Sequence, residues 1–563
     1  MDFVLTLHSH LPWVLNHGRW PHGSDWLCEA AVDTYLPLIE ALDVLEAEGT
    51  PAPITLGVTP VLANMLAHPG LATELTEFFA QRLLACEEAE AALTQSDEDV
   101  LLPLLVYWRE RYRRLRRRFE ACGGDLVGEL RRHADAGRIE LLSSGATHGF
   151  LPLLAREESI ALQLAVGVAE HERLFGRTPA GCWLPECAYR PQGDWHPDRS
   201  APFIANRPGL EEHLAAQGFQ FFFVDAHLPE AGRPLGLYRE TGRPDGLPLT
   251  DEEWSEVAIR RSPHRTYEVS PRAGRSPVVA FVRDPHTTRQ VWSRHGGYPG
   301  DGAYLEFHKI RYPGGLKLWR VTHPEADLGL KQPYEPNTAR ARAWGHAGNL
   351  HWQLRQHAEG LPPTESVTVA PFDTELFGHW WFEGVDFITD LYRRLGEYGG
   401  PSPRTASGHL AEHPPGVGVA LAAGSWGANG DFSMWLNPGT LWTWERLWPL
   451  EERFWSLAPA ALKVPSAAGV LAQAARELLL LQASDWQFII STGAAGDYAT
   501  KRFLGHAEWL SELLDALEPG ARRKLKAAAA RAETMRVVDD VFPEILPVLA
   551  TVLEQSKAVR ASR

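Results

Sequence analysis

Cysteine is scarce in this chain: five residues in 563 (Cys28, Cys86, Cys122, Cys182 and Cys187), an odd and scattered set with no CxxC pair. Such a set excludes a disulfide framework and a cysteine-based structural zinc, and reads as reduced thiols in a cytoplasmic protein. Long apolar runs are missing, and no stretch approaches the ~20 residues that a membrane-crossing helix needs. The opening MDFVLTLHSHLPW lacks a basic n-region and meets two histidines within ten residues, so it reads as neither signal peptide nor anchor. Positive charge is in deficit, with 55 Lys and Arg against 71 Asp and Glu and a net charge of −16. That balance argues against a nucleic-acid backbone or an anionic membrane as partner and favours a neutral ligand.

Tryptophan, by contrast, is plentiful, with 21 residues. Many of them, including Trp13, Trp20, Trp26, Trp292, Trp426 and Trp435, lie in Gly/Pro-rich segments where a core role is less automatic than in a helix. Indole faces there suit sugar rings, which offer C–H surfaces to stack on and hydroxyls for nearby polar groups. With 44% hydrophobic residues the chain can bury a large core, so one large catalytic domain and a smaller one are expected.

Seven short β-rich apolar runs recur: FVLTL (3–7), ITLGV (54–58), IELLS (139–143), GCWL (181–184), QFFFV (220–224), VVAFV (278–282) and VTVAPF (367–372). Helical stretches separate most of them, which implies a parallel sheet, and their near-continuous apolar character implies burial on both faces. Each run is followed by polar chemistry, in order HSH, TP, SGATH, PE, DAH, RDP and DTE. A β/α barrel carries its active site at the C-terminal strand ends, so the pattern predicts a barrel, incomplete with seven strands in place of eight. Residues 1–400 are its expected extent, with 70–137 an inserted helical subdomain, 228–276 a lid-like loop and 401–563 a helical C-terminal domain. The Arg run within the insertion is interleaved with Leu, Tyr and Phe and reads as a solvated helix face.

Two carboxylates stand at strand ends: Glu186 in WLPECAY and Asp373 in VTVAPFDTELFGHWWFEG. The pair suggests acid/base or covalent chemistry on a sugar. Only one of Asp373 and Glu375 is expected to face the mouth readily, and Asp373 comes directly off the strand. His8 and His10, two apart on a strand end, point to the same side. They read as a metal site or as neutral imidazoles that bond sugar hydroxyls or a carboxylate; with no HxxxH and no evident third ligand, the second is preferred. His148 in GATHGF reads the same way. Trp426 and Trp435, in GSWGANGDFSMWLN, look like a ligand platform, and Asp485 in ASDWQF is either a site residue or a helix end.

HSHLP, GATHGF, WLPECAY, PFDTELFGHWW and ASDWQF, in this order and spacing, resemble the five motifs of glycoside hydrolase family 57. Within it, SWGANGDFSMWLN, FGHWWFEG and VWSRHGGYPGD are similar to the family's 1,4-α-glucan branching members, more than to its amylases or 4-α-glucanotransferases. The resemblance implies an α/β fold: an incomplete (β/α)7 TIM-like barrel with a helical insertion and an all-α C-terminal domain. It implies Glu186 as nucleophile and Asp373 as general acid/base, with Trp292, Trp426 and Trp435 lining a glucan cleft. Arg283, Gly300 and Asp485 would contact substrate, and His10 and His148 would belong to the sugar pocket, with no metal and no cofactor. The implied activity is retaining transglycosylation on an α-glucan, which cleaves an α-1,4 bond and passes the cut segment to a 6-hydroxyl. Branching members carry a tyrosine near the tip of a loop over the cleft, and Tyr238 and Tyr267 are both eligible here. The alternatives are a hydrolase or 4-α-glucanotransferase on the same site, a catalytically silent glucan-binding protein, and a metal-dependent deacetylase.

Overall fold

A computed structural model describes the chain apart from residues 97, 232, 238–261, 272–275, 294–295, 363–365, 521 and 563. The seven apolar runs are strands: β1 (Asp2–Ser9), β2 (Ile54–Val58), β3 (Ile139–Ser144), β4 (Gly181–Trp183), β5 (Phe221–Val224), β6 (Val278–Val282) and β7 (Val367–Asp373). They pair in parallel in the order β7-β1-β2-β3-β4-β5-β6. Every residue of β1 is buried, as a strand covered on both faces requires.

The two-residue period of these strands explains how one barrel has both an apolar core and a polar mouth. Val4, Phe221, Phe223, Phe281, Val367 and Val369 pack together as one interior cluster with Leu142 and Trp183. Continuing each inward series toward the C-terminal end leads from Val4 to His8, from Phe223 to Asp225, from Phe281 to Arg283 and from Val369 to Asp373. The intervening residues, such as Phe3, Leu5, Leu7, Phe222 and Ala280, pack outward in the larger core shared with the helices. β4 lies so close to its neighbours that a Cβ on Gly181 would meet the Phe221 ring at 2.2 Å, which only glycine avoids.

The barrel does not close. Between β6 and β7 the ladder is reduced to a single bridge, Arg283 to Val369, with the Asp284 amide donating to the Val369 carbonyl at 2.8 Å. On that side β6 pairs instead with an antiparallel strand, Tyr267–Val269, and the sheet runs on through Val417–Ala420 to Arg233–Leu237. Two expectations change here. The segment 228–276 is not one irregular loop, because its described ends are in the sheet. The sheet also extends past residue 400, since Ser402–Pro403 pairs with β1 and Val417–Ala420 continues the other edge.

Helices link the strands in sequence. Pro69–Leu93, Leu102–Ala121 and Leu126–Asp135 fill the stretch between β2 and β3, and Glu157–Phe175 returns β3 to β4. From Leu441 onward the described residues are helical, with helices at Leu441–Ala461, Ala468–Leu481, Asp485–Thr492, Gly496–Leu517, Arg522–Val538 and Ile545–Ser562. Trp444, Leu447, Phe454, Leu478 and Leu510 are buried among them.

Candidate active site

Glu186 sits on a strained turn. Pro185 ends the extended run after β4, and the following single turn, Pro185–Cys187, places Glu186 at φ 62° and Cys187 at φ 47°. Left-handed backbone at a non-glycine residue costs about 1–3 kcal/mol and persists only where the surroundings enforce it. Here the Trp426 amide donates to the Glu186 carbonyl (3.1 Å), and Tyr189 and Gly424 exchange backbone bonds just beyond. The Glu186 side chain is 15% exposed. Its Oε2 accepts from Trp426 Nε1 (2.9 Å) and its Oε1 from Ser484 Oγ (3.1 Å).

Asp373 closes β7 directly opposite His8 in register. It accepts no side-chain hydrogen bond among the described residues, and its carboxyl is pushed well up by burial and by the charges of Glu375 and Glu186, with Arg283 opposing. Burial also raises Glu186, to about 7, but the Trp426 and Ser484 bonds and the His10 charge pull the other way, while Asp485 adds to the rise. The asymmetry is chemical: Glu186 has two donors that favour its anion, and Asp373 has none. Of the two, Asp373 holds its proton more strongly.

Glu375 does not share the mouth with Asp373. The strand period alone would put both on one side; the single turn Thr374–Leu376 instead carries Glu375 away, and it accepts from the Tyr35 hydroxyl and from the His10 amide (3.1 Å). Burial raises it to about 7 as well. It braces the His10 backbone.

The three histidines form a stack. His10 lies over His148 at 4.1 Å between ring centroids, His148 over His8 at 4.9 Å, and His8 over Trp183 at 4.6 Å. Burial holds His8 and His148 well below the ordinary imidazole pKa, so both are neutral. The hydrogen bonds then assign the tautomers. Ser484 Oγ gives its proton to Glu186, so it accepts from His148 Nδ1 (2.9 Å); His148 Nε2 accepts in turn from His8 Nε2 (3.0 Å). His8 Nδ1 is left as a bare acceptor, and it is buried without a partner. His10 bridges Thr59 Oγ1 (3.0 Å) and Asp485 Oδ2 (2.9 Å). Asp485 opens the helix Asp485–Thr492, where a carboxylate is favoured by the helix dipole.

The remaining expected residues divide. Arg283 is anchored by Asp225 Oδ2 (3.0 Å) and lies over the Trp426 ring at 5.3 Å. Trp292 is 36% exposed and meets Trp426 edge-on at 5.9 Å, so these two indoles present a surface beside Glu186. Gly300 ends the turn Tyr298–Gly300 that follows the helix Pro285–Trp292. Trp435 departs from expectation: it is fully buried, stacked on Phe150 at 4.4 Å, and offers no face to a ligand. It lies under Gly427, where an added Cβ would meet its ring at 2.7 Å, so it shapes the Trp426 loop from behind. Tyr267 also departs. It is 1% exposed in its strand, and its hydroxyl donates to the Ser262 carbonyl, so it is no loop-tip residue. Tyr238 lies outside the described residues. Four His, Asp and Glu groups among the described residues converge closely enough to hold a metal ion, and none includes His8, His10 or His148.

The fold and site together define a barrel enzyme of the carbohydrate-active class, with two part-buried carboxylates and an indole surface at its mouth. The chain belongs to glycosyl hydrolase family 57, which residues 4–415 match, and residues 449–548 match the C-terminal region of 1,4-alpha-glucan branching enzymes. It is 38% identical to a 1,4-alpha-glucan branching enzyme of Thermococcus kodakarensis over 520 residues, 91% of this chain and 73% of that protein. Among solved structures it is similar to a family 57 branching enzyme of Pyrococcus horikoshii (TM-score 0.87, 35% identity, 97% and 96% of the two chains). An alpha-amylase of Thermotoga maritima has the same fold at lower identity (TM-score 0.78, 27%, 98% and 99%).

Proposed function

We infer that the chain is a 1,4-α-glucan branching enzyme: it cleaves an α-1,4 bond of a glucan and joins the released segment to a 6-hydroxyl as an α-1,6 branch. The observation that carries the chemistry is the unequal support of the two carboxylates. Glu186, with donors on both oxygens, is the one held ready as an anion, and it attacks the anomeric carbon. Asp373, with no donor, keeps its proton and delivers it to the leaving oxygen. The glycosyl ester on Glu186 then meets the acceptor 6-hydroxyl, whose proton Asp373 takes, so two inversions give net retention. Arg283 between Asp225 and Trp426 keeps a positive charge near the pair, and Trp292 and Trp426 stack on the glucan.

The hydrolytic reading uses the same first step, and the likeness to the amylase keeps it relevant. The greater identity to the branching enzymes and the match at residues 449–548 favour transfer. Incubation with amylose tests this: transfer gives α-1,6 linkages without a matching rise in reducing ends, and a rise in reducing ends alone would make the enzyme a hydrolase. No helix among the described residues is long and apolar enough to cross a membrane. The five free thiols support a place in the reducing cytoplasm, where glucan stores are built.

A further inference from the structure

Three of the four convergent His/Asp/Glu groups already have a cation or a proton network to answer them. Asp43 is bonded to Arg118 and Arg132, Asp2 to His409 with Arg404 beside it, and His506 of the Glu477–Asp539 group to Arg502 at 3.2 Å. The fourth group is His264, Asp284 and His357. Among the described residues no Arg or Lys pairs with Asp284, which is 1% exposed; its Oδ2 accepts from the Thr287 amide (2.7 Å), and its Oδ1 is buried without a partner there. That oxygen points toward His264 Nε2, 3.9 Å away, and His264 Nε2 lies 2.8 Å from His357 Nε2.

We propose that His264, Asp284 and His357 bind a divalent transition ion of the zinc class, and that the ion pins the open seam of the barrel. Two imidazole nitrogens and one carboxylate oxygen are a zinc donor set that leaves a fourth position for water or another ligand. Ligands about 2.0–2.1 Å from a tetrahedral ion stand ~3.3 Å apart, and the two separations at His264, 3.9 Å and 2.8 Å, each lie roughly half an ångström from that, with all three donor atoms within 4.8 Å of one another. A cavity of about 310 Å³ lined by Asp284, His286, Thr287, His357 and Thr368 adjoins the group. It gives room for the fourth ligand, and His286, whose ring centre is 5.3 Å from that of His357, is within reach of it.

The position gives the site its consequence. The His264 carbonyl accepts from the Val367 amide (3.0 Å) and the Asp284 amide donates to Val369, so two of the ligands flank the single bridge between β6 and β7. His357 comes from Pro336–Glu359, the long helix packed beside that seam. Asp284 faces away from the barrel interior while its neighbour Arg283 faces in, so an ion here fixes the strand end that carries Arg283 without touching substrate.

The test uses the full chain stripped with a chelator and then titrated with Zn2+ by calorimetry and with Co2+ by visible absorption. Wild-type protein should bind one equivalent more than His357→Gln, and Co2+ should show the strong d–d bands of a four-coordinate N/O site only when His357 is present. Zinc at about 100 times its Kd should raise the wild-type Tm by roughly 2–4 °C and leave the variant unmoved. Asp284→Asn, which keeps the bond to the Thr287 amide, gives the same comparison if His357→Gln does not fold. Equal zinc stoichiometry and equal Tm shift in wild type and variants would overturn the proposal. So would no zinc bound by the wild type at micromolar concentration, which would leave a hydrogen-bonded histidine pair only.

Discussion

Replacing Trp426 by Phe removes one hydrogen bond to Glu186 and little else. The indole N–H donates to Oε2 at 2.9 Å, and the ring packs on Trp183, Trp292 and Arg283, contacts that a phenyl ring largely keeps. The donor favours the carboxylate, so its loss must raise the Glu186 pKa. A hydrogen bond to a charged group contributes about 1.5–3 kcal/mol, equivalent to about 1–2 pKa units. Starting from about 7, the carboxyl of the variant would titrate roughly 1–2 units higher. At pH 7 its ionised fraction would fall from about a half to roughly 1–10%, and kcat/KM with it, by about 5- to 50-fold.

The assay is kcat/KM for amylose across pH, read at the acidic limb, which reports the group that must be deprotonated in the free enzyme. The limb should move up by the stated amount, with much of the lost activity returning at higher pH until Asp373 begins to lose its proton. A loss of the same size at every pH, with the limb unmoved, would refute the reasoning. It would mean that Trp426 acts by stacking on the glucan and that Glu186 is not tuned by its indole.

Asp485→Asn should do the opposite, because the Asp485 charge raises Glu186; the acidic limb should shift down, and an upward shift would contradict the assignment. Glu186→Gln and Asp373→Asn should each abolish turnover on amylose with Tm little changed. With an activated aryl glycoside, whose leaving group needs no proton, Asp373→Asn should still form a glycosyl-enzyme visible by intact-protein mass spectrometry and Glu186→Gln should not, so adduct on the Gln variant would reverse the roles. Deleting residues within 238–261, which leaves the paired flanks Arg233–Leu237 and Tyr267–Val269 intact, should raise the ratio of reducing ends to α-1,6 linkages while cleavage survives; an unchanged ratio would place acceptor choice elsewhere.

All seven barrel strands were legible because burial on both faces writes an apolar run and the active-site end writes polar residues after it. Among the strands that were not legible, Arg233–Leu237 and Val417–Ala420 carry Gly and Pro between them and lie toward the far edge of the sheet, where no such pattern is required. Trp435 misled for a physical reason: a glycine-rich loop suggests exposure, but Gly427 is glycine because the Trp435 ring lies beneath it. Tyr267 looked like part of a loop because its strand has three residues and owes its place to pairing with β6. Ser484 had no signal beyond its place before Asp485, and the convergence of His264, Asp284 and His357 depends on a seam that only the fold creates.

The barrel strands alone do not supply the side-chain donors to Glu186. Both side-chain donors to Glu186, Trp426 and Ser484, follow the last strand of the sheet, and so does Asp485, the partner of His10. Backbone contacts hold these residues to the strand ends: the Ser484 amide donates to the His148 carbonyl (3.1 Å), Gly149 bridges to Ala483, and Tyr189 bridges to Gly424. Gly149 has no room for a side chain, since a Cβ would meet Gln163 Nε2 at 2.8 Å and the Gln482 carbonyl at 3.3 Å. Without these partners Glu186 would lose both the backbone bond from Trp426 that helps enforce its left-handed turn and the side-chain donors that oppose its protonation, and the two carboxylates would become electrostatically more alike. The division of labour that we propose between nucleophile and acid therefore depends on docking the C-terminal residues onto the barrel mouth, and loosening that contact should cost chemistry before it costs fold.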